Sequence, residues 1–225
     1  MADITLTIDG IEVTVPAGTT IWEAATRIGI EIPVLCHDPR LPPAGVCRLC
    51  AVDVGERTLP AACVRPVEPG MTVVTDGAEI HDHRRVLTEL LLADQPPQSR
   101  REQTTGDDAL YALARNLEIE GFPWPDGGNE SVATRGQDHS SPVIAVDHQA
   151  CILCDRCVRA CDDIQHNDVI TRTGKGHAVR IGFDLDVPMA KSSCVSCGEC
   201  VAVCPTGALT HQSLPTIPSP REENP

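Results

Sequence analysis

Two stretches of the chain carry the same four-cysteine spacing. Cys151-x2-Cys154-x2-Cys157-x3-Cys161 recurs as Cys194-x2-Cys197-x2-Cys200-x3-Cys204, with Ile152 and Val195 after the first cysteine and Val158 and Val201 after the third. A thiolate is a soft, anionic ligand that suits iron–sulfur clusters and zinc, and the tight x2 turns let three sulfurs converge on one face. Four cysteines within eleven residues are more than one tetrahedral zinc takes from so short a segment. This run, ending in Cys-Pro, is the spacing of bacterial two-cluster ferredoxins, in which the fourth cysteine serves the other cluster. Pro205 follows Cys204, while Asp162 follows Cys161. The spacing therefore predicts one [4Fe-4S] cluster on Cys151, Cys154, Cys157 and Cys204, and a second on Cys161, Cys194, Cys197 and Cys200. Zinc knuckles or a disulfide framework are the alternatives.

The remaining four cysteines read Cys36-x10-Cys47-x2-Cys50-x12-Cys63. A long loop that supplies most ligands, completed by one later cysteine, is the plant-type [2Fe-2S] arrangement, although the first gap there is shorter. Gly45 suits a loop whose backbone N–H groups approach sulfur. The alternative is one structural zinc. His37 beside Cys36 invites comparison with a Rieske site, but that needs two histidines on one iron and the four cysteines suffice, so it reads as a loop histidine. His81 and His83 lie two apart at a helix start and face different ways, which fits surface residues. Gly174-Lys175-Gly176 lacks the third glycine of a dinucleotide loop and reads as a hairpin turn. No phosphate loop, flavin fingerprint or nucleophile motif is visible, so no catalytic residue is assigned.

These cysteines need scaffolds. Ile4 to Ile8 and Ile11 to Val15 alternate apolar and polar residues about Asp9-Gly10, predicting a hairpin. Thr20 and Glu23 form a capping box ahead of Ile21, Ala24, Ala25 and Ile28 on one helix face. Leu49 to Val54 and Met71 to Thr75 read as further strands, giving a β-rich domain over 1–77. A helix from Glu79 to Ala93, with Val86, Leu87, Leu90 and Leu91 facing inward, opens a helical segment over 78–142 that ends in a Gly/Asn/Ser-rich linker from Pro125. A second helix runs from about Asp107 to Leu117. The ferredoxin unit spans 143–214, and 215–225, with four prolines and two acids, reads as a disordered tail.

Composition narrows the classes of function. Aromatics are scarce, with two Trp, one Tyr and two Phe in 225 residues, so small aliphatic cores need the staple that metal clusters provide. A formal charge of −14 argues against nucleic-acid or anionic-membrane surfaces. No apolar run approaches the ~20 residues of a membrane span. Residues Met1 to Leu6 show an early acid and no cationic region, so a cytoplasmic, reducing location is expected, where clustered cysteines hold metal.

The order of motifs resembles the electron-transfer module of NAD-linked, molybdenum-dependent formate dehydrogenase large subunits. It is also similar to the large iron–sulfur subunit of respiratory NADH dehydrogenase, to [FeFe]-hydrogenases and to the small diaphorase subunit of NAD-reducing hydrogenases. The resemblance rests on Val34-Leu35-Cys36, Gly45-Val46-Cys47-Arg48-Leu49-Cys50, Cys63-Val64-Arg65-Pro66-Val67, the Arg84 to Leu92 helix and both ferredoxin runs. It implies an α+β chain: an N-terminal β-grasp [2Fe-2S] ferredoxin-like domain, a helical connection and a C-terminal bacterial-type two-[4Fe-4S] ferredoxin domain. One departure stands out. The family's additional His-x3-Cys-x2-Cys-x5-Cys site falls on Gln95, Ser99, Glu102 and Asp108, which are not iron–sulfur ligands.

The expected function is an iron–sulfur relay between a flavin/NAD-binding subunit and a molybdenum or other catalytic metal subunit, with formate as the favoured substrate. The alternative is the small diaphorase subunit of an NAD-reducing hydrogenase, or a subunit of an NADH dehydrogenase-type complex. A zinc-stabilised interaction protein is the reading from a different class.

Overall fold

The alternating N-terminal segments pair antiparallel as β1 (Asp3–Ile8) and β2 (Ile11–Pro16), with Ile8 opposite Ile11. Asp9 and Gly10 both take positive φ, 48° and 80°, the conformation of the two-residue turn that matches strand twist. β3 (Thr72–Val73) lies parallel to β1, giving the order β2-β1-β3. Asp9 fastens this end of the sheet, accepting from the Thr75 amide at 2.8 Å and its hydroxyl at 2.5 Å. The capping box on Thr20 and Glu23 starts α1 (Ile21–Arg27), which buries Ile21, Ala24 and Ala25. The core they share holds Leu6, Ile8, Val15, Val52 and Val73, all essentially inaccessible.

In the computed structural model, residues 2–119 and 135–213 are described. The expected tail 215–225, part of the expected linker, and Phe122 and Trp124 lie outside the described residues. The chain divides into two compact units, Met1–Thr88 and Glu89–Pro225. No helix among the described residues is long and apolar enough to cross a membrane.

Two sequence expectations change in the first unit. Leu49 to Val54 forms only the single bridges Ala51↔Ala61 and Asp53↔Val74. Val52 donates to the Pro60 carbonyl at 3.1 Å, and Pro60 has no N–H to return, so a full ladder cannot form. The second concerns α2 (Ala78–Ala93), whose expected inner face included Val86 and Leu90. Both are about half exposed, at 53% and 52%, and the buried stripe is instead Ile80, Arg84, Thr88 and Leu92. Two of those are polar, and each has partners. Arg84 donates to the carbonyls of Leu49, Ala51 and Thr75 at 3.1, 3.2 and 2.9 Å, and Thr88 donates to the Arg84 carbonyl. A hydrophobic count misreads such a helix because its inward arginine braces backbone rather than filling a core.

The second unit begins with two short helices, α3 (Arg100–Thr104) and α4 (Ala109–Asn116), capped by Ser99 and Asp108. β4 (Gln137–Asp138), β5 (Ile144–Asp147) and β8 (Leu209–His211) form one antiparallel sheet in the order β4-β5-β8. β6 (Ile170–Thr173) and β7 (Arg180–Phe183) form a hairpin whose connection contains Gly174-Lys175-Gly176. A Cβ on Gly174 would meet the Ala178 carbonyl oxygen at 2.4 Å, which explains the glycine. α5 (Arg156–Arg159) follows Cys154, and α6 (Glu199–Val203) follows Cys197. Cys151, Cys157, Cys161, Cys200 and Cys204 are members of this unit's core, beside Ile144, Ile170, Ile181, Phe183 and Leu209.

Candidate metal centres

None of the twelve cysteines is tied up in a disulfide. Cys36, Cys50 and Cys63 are buried and Cys47 half-buried, on the loops that flank β3 and α1. Arg48, with φ of 61°, turns the backbone between Cys47 and Cys50, and the Cys47 amide donates to the Cys36 sulfur at 3.4 Å. Hydrogen bonds from the Cys47 and Cys63 thiols hold Cys36 far below the usual thiol range, down to about 2. A bond from Cys63 brings Cys50 down to about 7. The donors Cys47 and Cys63 are pushed well up by the same sharing. Four sulfurs competing for protons in one buried loop form a set that metal binding relieves.

In the second unit the two runs fold as structural repeats. Leu153 and Asp155 have φ of 54° and 59°, and the matching Ser196 and Gly198 have 56° and 85°. Alternating handedness at these positions winds the backbone so that sulfurs and N–H groups point into a common concavity. The fourth cysteine of each run then leaves for the other repeat. One cavity is lined by Cys151, Cys154, Cys157 and Cys204, and the other by Cys161, Cys194, Cys197 and Cys200. Each cavity thus draws three sulfurs from one run and one from the other. The π-turn over Ala160–Ile164 carries Cys161 away from α5 toward the second cavity, and such bulges are common at functional sites.

Burial pushes the thiols of Cys151 up to about 11 and of Cys154 and Cys200 up to about 12, and it also holds the Cys157 thiol well above its ordinary range. These wells are apolar and hold thiols in neutral form until a metal displaces the protons. Among the described residues no group of three or more His, Cys, Asp or Glu side chains is arranged to hold a lone metal ion. The ferredoxin cysteines ring a space instead, which fits a group several atoms across with thiolates at its corners. Cys197 is exposed and Cys194 half-buried, whereas all four cysteines of the first cavity are buried.

His37 is buried and packs edge-on against Trp22, ring centroids 4.6 Å apart, while the Trp22 indole donates to the Ile32 carbonyl at 3.1 Å. No second histidine stands beside His37 in sequence. His83 approaches the Arg48 carbonyl at 3.3 Å, and His81 is exposed.

Three of the four positions that depart from the resembled pattern make structural contacts. Ser99 caps α3 through the Glu102 amide and donates to Asp108 at 2.6 Å. Asp108 in turn caps α4 at the Leu110 and Tyr111 amides and accepts from the Gly207 amide at 3.1 Å. Glu102 pairs with Arg115 at 2.7 Å, and Gln95 is buried. The Ala109 amide donates to the Pro205 carbonyl at 2.8 Å, so the α3–α4 corner grips the turn that follows Cys204. A Cβ at Gly207 would strike the Ser99 side chain at 2.7 Å. Nothing in the sequence pattern marks this grip, apart from serine and aspartate at helix starts. Ser99→Ala should lower the unfolding free energy by roughly 1–3 kcal/mol, since it removes a cap and leaves a buried carboxylate one donor short. Every cluster signal should survive, as denaturation followed beside electron paramagnetic resonance would register; loss of a signal would mean that this corner ligates metal.

Residues 1–78 match the family described as 2Fe-2S iron-sulfur cluster binding domain, and residues 141–210 match the NADH-quinone oxidoreductase subunit 3 ferredoxin-like domain. The chain is 36% identical over 215 residues to "NADP-reducing hydrogenase subunit HndD" of Solidesulfovibrio fructosivorans, a match that covers 93% of this chain and 36% of that protein. It is 35% identical over 218 residues to an NADH-quinone oxidoreductase subunit of Rhizobium meliloti, across 92% of this chain and 24% of that one. The chain thus spans about a quarter to a third of the length of these curated relatives. A chain of a crystal structure of an NAD+-reducing [NiFe]-hydrogenase in the H2-reduced state superposes with a TM-score of 0.84 at 29% identity, covering 97% of this chain and 91% of that one. The fold is α+β, with a [2Fe-2S] ferredoxin domain followed by a ferredoxin-like domain with eight cysteines, and its cofactors are one [2Fe-2S] and two [4Fe-4S] clusters.

Proposed function

We propose that this chain, homologous to subunits of NADH-quinone oxidoreductases and NAD(P)-linked hydrogenases, is the electron-relay subunit of a complex of that type. Its partners would be a flavin/NAD-binding subunit and a subunit with a catalytic metal. Cys36, Cys47, Cys50 and Cys63 would hold the [2Fe-2S] cluster. Cys151, Cys154, Cys157 and Cys204 would hold one [4Fe-4S] cluster, and Cys161, Cys194, Cys197 and Cys200 the other. The clusters supply one-electron redox chemistry. The chain's part is to exclude water around most of the sulfurs, aim N–H groups at them and fix their spacing.

The observation that carries this reading is the pair of four-cysteine cavities, each composed of three sulfurs from one repeat and one from the other. Formate, favoured by the wording of the ferredoxin runs, gives way as terminal substrate. The relatives are named for hydrogenase and NADH oxidoreductase activities, and the solved neighbour is an NAD+-reducing hydrogenase.

A relay needs no substrate site of its own, and its chemistry would lie in the cysteine-lined wells. The reconstituted chain should therefore accept electrons from dithionite and pass them to a dye, yet reduce NAD with neither hydrogen nor formate. Turnover of NAD by the chain alone would contradict a relay.

A further inference from the structure

The two ferredoxin runs repeat in their cysteines but not in their charges. Where the first has Arg156 and Arg159, the second has Glu199 and Ala202. The structure extends this difference around the first cavity. Arg135, itself buried, donates to the Cys151 carbonyl at 3.2 Å, and Arg159 to the Cys154 carbonyl at 3.3 Å. Arg172 donates to the Leu153 carbonyl at 2.7 Å, and Arg101 to the Cys204 carbonyl at 2.5 Å. Three of these carbonyls belong to proposed ligands and the fourth lies between two of them. The guanidinium groups come from four separate places: α3, the segment before β4, α5 and β6.

We propose that Arg101, Arg135, Arg159 and Arg172 form a cationic collar that raises the midpoint potential of the [4Fe-4S] site at Cys151, Cys154, Cys157 and Cys204. This deepens the relay reading and rests on its ligand assignment. Reduction adds one electron and one negative charge to a site already made of thiolates, so fixed positive charge in a buried place favours the reduced form. Carboxylates beside three of the four arginines temper the effect, Asp94 lying 3.6 Å from Arg135. Arg101 meets Asp107 through two bonds of 2.9 Å, and Arg172 meets Asp155 at 2.7 and 2.6 Å. Those bonds hold the Arg101 guanidinium above its ordinary range and the Asp107 carboxyl down at about 2, so both stay charged at neutral pH. Asp107 is 55% exposed and Arg101 22%. Solvent screens the acid more, and the net influence on Cys204 is positive.

Without such a difference, two sites built from one repeated motif would have similar potentials, and an electron would have no preference between them. Solvent at the exposed Cys197 also stabilises the reduced form of the second site. The informative quantity is therefore the movement of one signal on substitution, not the gap between the two.

The experiment is a dithionite titration with redox mediators of the full reconstituted chain, followed by electron paramagnetic resonance, on Arg101→Gln, Arg101→Lys and Asp107→Asn. Arg101→Gln should move one [4Fe-4S] midpoint to a more negative potential and leave the other and the [2Fe-2S] midpoint in place. Arg101→Lys should restore most of that shift, and Asp107→Asn should move the same midpoint by a smaller amount in the opposite direction. A merely structural role would shift both neutral variants the same way or cost iron, so opposite signs are the signature. The collar is overturned if all midpoints stay unchanged at full iron content, or if Arg101→Gln and Asp107→Asn shift together. If Arg101→Gln loses iron, the Asp107→Asn and Arg101→Lys pair decides on the same criterion. Absence of iron–sulfur signals from the unmodified chain would instead remove the relay reading itself, a distinguishable result.

Discussion

Cys204→Ser is expected to remove one [4Fe-4S] signal entirely and to weaken the other. Cys204 lines the cavity of Cys151, Cys154 and Cys157 although it belongs to the second run, so its loss opens a corner that no neighbouring thiol can fill. Its backbone matters as much. The Cys204 sulfur lies 3.2 Å from the Thr206 carbonyl, and the Thr206 hydroxyl donates to the Ala150 carbonyl at 2.7 Å, just ahead of Cys151. The turn after Cys204 thus latches one repeat to the other, and a metal that ligates across it stabilises both. The [2Fe-2S] signal should persist, because Cys36, Cys47, Cys50 and Cys63 belong to the other unit. Iron content and low-temperature paramagnetic resonance measure the outcome, and an undiminished pair of [4Fe-4S] signals would refute the crossed ligation.

Stripping iron from the loaded chain should unfold the second unit and spare the first. Five of its cysteines are core members, and most of the rest of that core is aliphatic, with Phe183 the single aromatic. Removing the clusters leaves buried thiols around voids, and loss of structural metal from such a unit costs most of its folding energy. The first unit has a three-stranded sheet and α1 packed over Leu6, Ile8, Val15, Ile21 and Val73, a core to which cysteines contribute only Cys50 and Cys63. Amide hydrogen exchange after anaerobic chelation should show residues of β5, β6, β7 and β8 losing protection by orders of magnitude, while β1 and β2 keep theirs. Equal loss in both units would show that the β-rich unit also depends on its cluster.

The hairpin and the capping box of α1 are legible in the sequence because each depends on few residues at fixed spacing. The left-handed turns at Leu153 and Ser196 are not, since nothing about leucine or serine announces a positive φ; only Gly198, and Asp155 by tolerance, hint at it. The inner face of α2 is misread because Arg84 and Thr88 are buried by hydrogen bonding rather than by apolar transfer, an arrangement that hydrophobic periodicity cannot see. Positions 95, 99, 102 and 108 are readable as non-ligands from residue type. That Ser99 and Asp108 grip the Cys204 turn depends on contacts about a hundred residues apart in the chain, and only the tertiary structure brings them together. The arginine collar is hidden for the same reason, its members being scattered from Arg101 to Arg172.

The central claim is a relay of three clusters, and metal analysis of the anaerobically reconstituted chain joined to paramagnetic resonance tests it most directly. The account predicts about ten iron atoms and as many sulfides per chain, with one [2Fe-2S] and two [4Fe-4S] signals on reduction. About fourteen irons would show that the Gln95 to Asp108 segment binds a further cluster, and zinc as the dominant metal, with a colourless protein, would contradict the relay altogether.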